Sequence, residues 1–417
     1  MSKSIKNIGL FGFGQVGQGL YTVIQQSGYT GASIRKIVVK NKEKTRIVSS
    51  DLLGYDKNEI LDDQDIDIIV EAIDDSKEAF NIVKAALEKK RLVVTSSKKM
   101  VAENFSELIE LQKKHNATLL YEGSVCGSIP VIQLLDRYFR HEQLKSIQGI
   151  FNGTSNFILS RIFNENLHYE EALKQAQDLG FAESDPTNDV QAYDPKFKTV
   201  ILAKHGFGVT LKPEEVINFG IDNFNAEDIR FAREHDFKLK VLATLIAEDG
   251  AVYAYVLPHF VGKNNKFYEI ENEFNAVQID APYAGVQFYT GRGAGSLPTG
   301  LAVFNDVKDL VNGQHYAYEK SASADLTDET NLLLEIYFRY TDEKIKNGLN
   351  FISTSETDLP EGNQFIIGYV TLKNLKEQLP QIQSTGSVVI ATGLRTLKSN
   401  QPLFTNHPFS TEEKTYV

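Results

Sequence analysis

Residues 8–17 are Ile-Gly-Leu-Phe-Gly-Phe-Gly-Gln-Val-Gly, and this stretch decides the fold of the first part of the chain. Its apolar start predicts a short buried strand, and residues 16–26 have the spacing of a helix. Between them, Gly12 permits a tight turn, Gly14 lets a pyrophosphate approach the backbone, and Gly17 lets the helix pack closely on the strand. The helix N-terminus supplies N–H donors for phosphate oxygens. Because the glycines join a strand to a helix, they predict a dinucleotide-binding unit rather than an ordinary glycine-rich turn.

The same alternation continues through residues 5–130. Short apolar runs at 34–39, 66–72, 92–95 and 117–121 predict strands, and amphipathic stretches at 79–90 and 105–115 predict helices. Strands that alternate with helices of this length indicate βαβ units and a parallel sheet. The fold class is therefore α/β, with a Rossmann-type parallel sheet in the nucleotide domain.

The pattern changes after residue 130. Helices are predicted at 131–140, 156–164, 169–179, 197–204 and 297–310, and strands at 144–151, 252–258, 267–271, 276–279 and 287–289. The last part predicts strands at 333–340, 364–371 and 387–392 with a helix at 372–379. We therefore expect a dinucleotide-binding domain at 1–130 to which 296–320 returns, an α+β substrate and dimerisation domain at 131–295, and a small α+β module at 328–417. The best linker candidate is 320–328.

Composition excludes several classes of function. The chain has 417 residues, a net charge of −11 and one cysteine, Cys126. An acidic chain without a basic stripe is a poor nucleic-acid binder. One cysteine excludes an internal disulfide and a cysteine-rich metal site. Since no apolar run approaches the roughly 20 residues that span a bilayer, we expect a cytoplasmic protein without a membrane segment.

The residues after the second predicted strand bear on the choice of cofactor. Dinucleotide folds that prefer NAD place an acidic residue there, which binds the ribose 2′-hydroxyl. Here the strand runs into Lys40, Asn41 and Lys42, with Glu43 and Arg46 beyond. A basic cluster favours a 2′-phosphate, so the sequence predicts NADP and leaves NAD open.

Residues 183–198 are rich in charge. Glu183, Asp185, Asp189 and Asp194 precede Lys198, and Pro186 with its polar neighbours predicts a loop at 183–189. Asp194 and Lys198 are four residues apart, so they share a face if the chain is helical at that point. Taken alone, such a pair is more often a solvated surface ion pair than a site.

Six motifs in this order resemble the homoserine dehydrogenase family. Besides GFGQVG at 12–17, the chain has VVTSSK at 93–98 (family VVTANK), YEGSVCGSIP at 121–130 (EAsVggGIP) and GIFNGTSNFIL at 149–159 (GILNGTtNyIL). The acidic segment GFAESDPTNDVQAYDPKFK at 180–198 is similar to GxxEaDPxxDvxGxDaxxK, and GRGAGSLPT at 291–299 is similar to GpGAGgxPTa. No kinase-like segment precedes the glycine motif, so the resemblance is to the monofunctional form.

The resemblance implies the reaction and a set of site residues. It implies reversible NAD(P)H-dependent reduction of L-aspartate 4-semialdehyde to L-homoserine, a CH–OH oxidoreductase step in threonine, methionine and isoleucine biosynthesis, by a homodimer. Catalysis is expected from Lys198, Lys98 and Asp194, and substrate binding from Glu183, Asp189, Asp194 and Thr154. Cofactor contacts are expected from Gly12, Gly14, Gln15, Val16, Gly17, Lys40, Thr95, Lys98, Gly291 and Gly293. A structural monovalent cation, expected to be sodium, is assigned to Glu122, Val125, Gly127 and Ile129.

The chain departs from the family pattern at several positions. Ser96-Ser97 replace Ala-Asn before Lys98, and residues 73–75 are Ile-Asp-Asp where glycine is usual. Ala192 stands where the family commonly has glycine, which matters if this position requires a positive φ. The C-terminal module loosely resembles an ACT regulatory domain but lacks the usual Asp-x-Pro-Gly turn, so feedback by threonine is a further expectation.

Two other functions remain as alternatives. A different NADP-dependent oxidoreductase of amino-acid metabolism, such as aspartate-semialdehyde dehydrogenase, needs a cysteine nucleophile with a histidine partner. Cys126 lies in the loop assigned to the cation, and the eight histidines are scattered. A nucleotide sensor without catalysis would keep the fold but would not need the set of Lys98, Glu183, Asp194 and Lys198.

Overall fold

The structure is a computed structural model that describes residues 5–320, 325–326, 331–355 and 364–397. It divides into two compact units. The first unit comprises Met1–Ile147, Phe197–Glu215 and Phe274–Ala324, and the second comprises Gln148–Lys196, Val216–Glu273 and Asp325–Val417. Most of the predicted linker at 320–328 and the last part of the predicted C-terminal module lie outside the described residues.

The elements alternate as the sequence predicts in the first part of the chain. The helices are α1 (Gln15–Gln26), α2 (Asn58–Leu61), α3 (Ser76–Glu88), α4 (Lys98–Glu103), α5 (Phe105–His115), α6 (Val131–Gln133), α7 (Gly153–Glu165), α8 (Tyr169–Asp178), α9 (Thr187–Val190), α10 (Tyr193–Phe207), α11 (Ala226–Glu234), α12 (Ser296–Val311), α13 (Glu343–Gly348) and α14 (Leu372–Ser384). The strands are β1 (Lys6–Phe11), β2 (Ala32–Val38), β3 (Leu53–Gly54), β4 (Ile68–Glu71), β5 (Leu92–Thr95), β6 (Thr118–Leu120), β7 (Ser146–Ile150), β8 (Ile217–Asn218), β9 (Phe237–Glu248), β10 (Ala251–Gly262), β11 (Phe274–Ala281), β12 (Gly285–Arg292), β13 (Asp325–Leu326), β14 (Leu332–Arg339), β15 (Ser353–Ser355), β16 (Phe365–Thr371) and β17 (Val388–Leu397).

A six-stranded parallel sheet forms the centre of the first unit. Its strand order is β3-β2-β1-β4-β5-β6, the order of dinucleotide-binding folds. All four residues of β4 are buried, as expected for a strand covered by helices on both faces. The predicted Rossmann-type fold class is therefore confirmed.

Helices α1 and α12 of the first unit cross where both carry glycine. A Cβ on Gly19 would lie 1.8 Å from the Ser296 carbonyl oxygen, and a Cβ on Gly300 would lie 2.4 Å from the Gly19 carbonyl carbon. Because neither residue has a Cβ, the two backbones can touch. The contact brings the N-termini of both helices together, and Ser296 Oγ donates to the Gln15 carbonyl at 2.7 Å.

The second unit contains a mixed sheet. Its strands β9, β10, β17, β14, β16 and β15 are neighbours in that order. The long hairpin β9–β10 turns at Asp249 and Gly250, which both have positive φ as a two-residue hairpin turn requires. An apolar core of the second unit packs Tyr255 and Leu257 of β10 with Phe338 of β14 and Leu375 of α14.

The C-terminal part of the second unit has the element order β14-α13-β15-β16-α14-β17. These four strands lie in the order β17-β14-β16-β15, with β14 antiparallel to both neighbours. This is a split βαβ arrangement of the ferredoxin type. The first helix is only six residues long, which explains why its sequence pattern is hard to recognise.

The structure corrects three sequence expectations. Residues 267–271 were expected to form a strand, but 267–269 lie in a 3₁₀ turn, Lys266–Glu269, and 270–271 follow it without regular structure. The expected loop at 183–189 contains the start of α9, and β9 was not predicted at all. Within the described ranges, no helix is long and apolar enough to cross a membrane.

Candidate active site

The glycine turn of the first unit has the geometry that its sequence predicts. Gly12 has φ +89°, and a Cβ there would lie 2.2 Å from the Ala72 carbonyl oxygen. A Cβ on Gly17 would lie 2.5 Å from the Gly12 carbonyl oxygen, so helix and strand pack without side chains between them. In contrast, a Cβ on Gly14 would meet open space. Helix α1 starts at Gln15, with Val16 next, and has no acidic residue in its first turn, so its N-terminus suits an anion such as pyrophosphate.

The carboxyl ends of β4 and β5 are tied together beside this turn. Glu71 is fully buried, accepts a hydrogen bond from the Ile73 N–H at 2.7 Å and accepts another from the Thr95 hydroxyl. Burial raises the pKa of Glu71 to about 7. Thr95 Oγ1 in turn accepts from the Ser97 N–H at 3.0 Å. This chain of bonds fixes the turn from which α4 starts at Lys98.

Within the first unit, the loop between β12 and α12 approaches Ser128, which lies in the loop that the sequence assigns to a cation. A Cβ on Gly291 would lie 2.7 Å from Ser128 Oγ, and a Cβ on Gly293 would lie 2.0 Å from the Asn275 side chain. The Ser128 N–H donates to the Arg292 carbonyl at 3.0 Å. The predicted cofactor residues Gly291 and Gly293 therefore permit close backbone packing, and the loop leads into the N-terminus of α12 next to Gln15.

The loop after β2 is exposed and basic. Lys40 is exposed, and Asn41 Oδ1 accepts from the N–H groups of Glu43 and Lys44 at 2.9 and 3.2 Å. Arg46 donates to the Asn41 carbonyl at 2.7 Å, so its guanidinium holds the loop in shape.

In the second unit, the structure brings two predicted substrate carboxylates together on one amide. Asn152 Nδ2 donates to Asp189 Oδ1 at 2.6 Å and to Asp194 Oδ2 at 2.9 Å. Asp189 lies in α9 and Asp194 in the first turn of α10. Ala192, between them, has φ +62°, the conformation for which the family's glycine is suited. Asp194 and Lys198 therefore lie on one helix, α10, and the turn before it is tight.

The other two predicted substrate residues are in the same unit. Thr154 is in the first turn of α7 and donates from Oγ1 to the Phe181 carbonyl at 2.7 Å. Glu183 is exposed, and its carbonyl accepts from Gln177 Nε2 at 3.1 Å. Neither side chain forms a described hydrogen bond with the Asp189–Asp194 pair.

The two predicted lysines are on helices of the first unit. Lys198 is on α10, one turn after Asp194, and is only 6% exposed. Lys98 is the first residue of α4 and is half-buried. The two helices are neighbours in this unit, since Lys99 Nζ lies 6.0 Å from the centre of the Phe197 ring. Lysines on adjacent helices can place two cationic groups at one anionic transition state.

The predicted cation loop contains a buried carboxylate. Glu122 is 1% exposed and accepts from the N–H groups of Ile132 and Gln133 at 3.0 and 2.7 Å. Burial raises the pKa of Glu122 to about 8. A cavity of about 30 Å³ lies beside it, lined by Glu122, Gly127, Ser128, Pro130, Gln133, Leu301, Ala302 and Asn305. Of the four predicted ligands, Glu122 and Gly127 line this cavity, whereas Val125 and Ile129 are buried in the same loop outside its lining.

Sequence reasoning missed two residues, Asn152 and Glu71. Asn152 is in a motif that the family shares, but nothing local links it to carboxylates 37 and 42 residues away. Glu71 could have been noticed, because a charged residue that ends an otherwise apolar strand needs a buried partner.

Two family models match the chain. One described as homoserine dehydrogenase matches residues 130–307, and one described as homoserine dehydrogenase, NAD binding domain, matches residues 12–122. A homoserine dehydrogenase of Bacillus subtilis is 34% identical over 310 residues, which cover 72% of this chain and 71% of that protein.

Solved structures show the same similarity over most of the chain. A homoserine dehydrogenase from Thiobacillus denitrificans has a TM-score of 0.79 at 26% identity and covers 94% of this chain and 98% of its own. The S. aureus homoserine dehydrogenase at pH 8.5 has a TM-score of 0.70 at 29% identity, over 94% and 99% of the two chains.

Proposed function

The chain belongs to the homoserine dehydrogenase family, and on that premise we propose that Lys198 and the carboxylates before it carry out its reaction. The reaction is the NAD(P)-dependent interconversion of L-aspartate 4-semialdehyde and L-homoserine, a step of amino-acid biosynthesis. The observation that carries the proposal is the arrangement around α10. Asp194 is paired with Asp189 on one amide, and Lys198 is buried one turn further on. Homoserine-dependent formation of reduced cofactor by the purified protein tests it.

The chemistry at the substrate carbonyl assigns roles to the two lysines. When bound, the nicotinamide supplies the hydride that reduces the aldehyde carbon. Lys198 donates a proton to the oxygen that becomes the hydroxyl, and takes the proton back when homoserine is oxidised. Lys98 holds a positive charge near that oxygen and stabilises the negative charge that develops on it.

The carboxylates suit an amino-acid substrate. Glu183, Asp189 and Asp194 offer negative charge to the substrate ammonium and acceptors to its hydroxyl. Thr154 stands at the start of α7, where backbone N–H groups and the helix dipole favour the substrate carboxylate. A site for a 2-hydroxy acid, which has no ammonium group, would not need these acids. The acidic segment therefore favours homoserine as the substrate.

The glycine turn fits the dinucleotide, and the loop after β2 supports NADP. Gly12, Gly14 and Gly17 shape the space for the pyrophosphate, while Gln15 and Val16 begin the helix that faces it. Lys40 is exposed in a loop that Arg46 holds in shape, so its ammonium is available to a 2′-phosphate.

We expect NADPH to exceed NADH in kcat/KM by roughly 10- to 100-fold, the value of one or two charged hydrogen bonds to the 2′-phosphate. Lys40→Ala should lower kcat/KM for NADPH while leaving that for NADH nearly unchanged. Lys57→Ala, a lysine paired with Glu78 on the surface, is the matched control. A clear preference of the unmodified protein for NADH would contradict the assignment.

The residues of the cation loop fit a monovalent ion. The cavity beside Glu122 is large enough for one water-sized group, and carbonyl and carboxylate oxygens are the ligands that hard cations prefer. Asp306 is fully buried, accepts from the Glu122 N–H at 2.8 Å, and its Oδ1 has no hydrogen-bond partner among the described residues. Two neighbouring buried carboxylates favour a positive charge, and we assign it to a sodium ion held by Glu122, Val125, Gly127 and Ile129.

Exchange of sodium for choline at constant ionic strength is expected to lower the Tm. Loss of an ion at a concentration well above its Kd costs about 1 kcal/mol or more, which corresponds to roughly 2–4 °C for units of this size. Differential scanning calorimetry measures the shift, and Glu122→Gln should abolish the difference between the two salts. Equal Tm values of the unmodified protein in both salts would refute the site.

Two further properties follow as proposals. The split βαβ order of the C-terminal strands supports an ACT-like module that binds an amino-acid effector such as threonine. Hairpin β11–β12 of the first unit exposes apolar side chains, with Tyr283 89% and Val286 52% exposed. An outer strand with exposed apolar residues suits a second copy of the chain, as in a homodimer.

A further inference from the structure

Asn152 has no role in the proton and hydride transfer proposed above, but its side chain contacts both carboxylates of the acidic pair. It is 5% exposed and connects three segments of the second unit: the start of α7, which it caps, α9 and the first turn of α10. Its Oδ1 accepts from the Ser155 N–H at 2.7 Å. Its Nδ2 donates to both Asp189 and Asp194.

The orientation of this amide is determined by its partners. An amide has one oxygen that accepts and one nitrogen with two hydrogens. Because the oxygen caps α7, the two hydrogens face the carboxylates, one for each. The flipped amide would place oxygen against two carboxylates and nitrogen against an N–H group, so only one orientation satisfies all three contacts.

The backbone of the turn between Asp189 and Asp194 is held by a second segment, residues 218–221. The Ile221 N–H donates to the Val190 carbonyl at 2.7 Å, and Asn218 Nδ2 donates to the Gln191 carbonyl at 2.7 Å. A Cβ on Gly220 would lie 1.9 Å from the Val190 carbonyl oxygen, so the two segments are in backbone contact. Residues 218–221 therefore fix the backbone of this turn, whereas Asn152 contacts the carboxylates of Asp189 and Asp194.

We propose that Asn152 is a positioning residue that orients the Asp189 and Asp194 carboxylates for the substrate, an inference that rests on the proposed function. Because both carboxylates accept from the same amide nitrogen, they keep a fixed separation, and each has one oxygen directed to the amide. This arrangement also reduces the repulsion between two like charges in a largely buried setting. Asn152 thereby links the capping of α7 to the geometry of the acidic pair.

The test separates two roles of the Asn152 side chain, the capping of α7 and the donation of hydrogen bonds to the two carboxylates. Serine caps helices nearly as well as asparagine, but its short side chain cannot donate to both carboxylates. Asn152→Ser should therefore keep the cap and the fold, with a lower Tm because the two carboxylates lose their donor, while kcat/KM for homoserine falls roughly 10- to 100-fold, as expected when reacting groups are misplaced by about 1 Å. The KM for the cofactor should not change. Asn225→Ser, which alters the asparagine cap of α11 in the same unit, is the matched control and should leave kcat/KM unchanged.

A second variant and a double-mutant cycle test how Asn152 acts. Asn152→Asp keeps the size and the cap but replaces both N–H donors with a third carboxylate beside Asp189 and Asp194, so it should be at least as impaired as Asn152→Ser. In an Asp194→Ala background, which has no acceptor at this position, Asn152→Ser should cost clearly less than it does alone. Activity of both Asn152 variants equal to that of the unmodified protein would overturn the inference, and so would full additivity in the cycle. Failure of the proposed function is distinct, because the unmodified protein would then not oxidise homoserine.

Discussion

Lys198→Ala is expected to lower kcat for homoserine oxidation by roughly 10²- to 10⁴-fold, the usual contribution of a positioned acid–base group. The lysine is 6% exposed on α10, so water cannot readily replace it as the proton carrier. The KM for the cofactor should change little. Stopped-flow and steady-state absorbance at 340 nm measure both quantities.

Two variants give this prediction its controls. Lys204 is on the same helix, donates to the Gly208 carbonyl at 2.9 Å, and Lys204→Ala should keep kcat within about twofold. Lys198→Arg keeps the positive charge but cannot give up its proton near neutral pH, so it should remain strongly impaired. Full activity of Lys198→Ala would remove Lys198 from the mechanism, and full activity of Lys198→Arg would reduce its role to that of a charge.

Asp194→Asn is expected to lower kcat/KM for homoserine by roughly 10²- to 10³-fold. This is the usual cost when one charge is removed from a buried ion pair, here the proposed pair of Asp194 with the substrate ammonium. Asparagine has nearly the same shape and its Oδ1 can still accept from Asn152 Nδ2, so the substitution chiefly removes the negative charge. Steady-state kinetics with varied homoserine measure the loss.

The matched control for this substitution is Asp178→Asn. Asp178 is an exposed carboxylate at the end of α8 that pairs with Lys174, and surface pairs of this kind contribute little. Its variant should be indistinguishable from the unmodified protein. If Asp194→Asn were equally silent, the acidic pair would have no part in substrate binding or catalysis.

The glycine stretch at 8–17 allowed the fold of the nucleotide sheet to be predicted because its signals are local. Gly17 packs against the Gly12 carbonyl five residues away, and Gly12 packs against Ala72 at the end of the neighbouring strand β4, whereas Gly14 faces open space. Ala192 is a similar case, because the family's glycine pointed to a positive φ and the structure has φ +62°. The spacing predicts a helix only at 197–204, and the structure extends α10 back to Tyr193.

What the sequence could not provide are contacts between distant residues. The amide of Asn152 meets Asp189 and Asp194 only because α7, α9 and α10 come together in the folded second unit. Strand β9 was missed because Lys238 and Lys240 interrupt its apolar pattern, although Lys240 is 1% exposed and donates to Asn156 Oδ1 at 3.1 Å. Residues 267–271 are predicted to form a strand because Phe267, Tyr268 and Ile270 favour strands, yet Asn265 Oδ1 accepts from the Phe267 N–H and starts a 3₁₀ turn instead.

Oxidation of L-homoserine by the purified protein tests the central claim most directly. With NADP⁺ present, addition of L-homoserine should produce absorbance at 340 nm at a rate that saturates with homoserine and falls at least 10²-fold in Lys198→Ala. L-lactate, a 2-hydroxy acid without an ammonium group, should give no rate above the blank. Absence of homoserine-dependent turnover with both NADP⁺ and NAD⁺ would contradict the account.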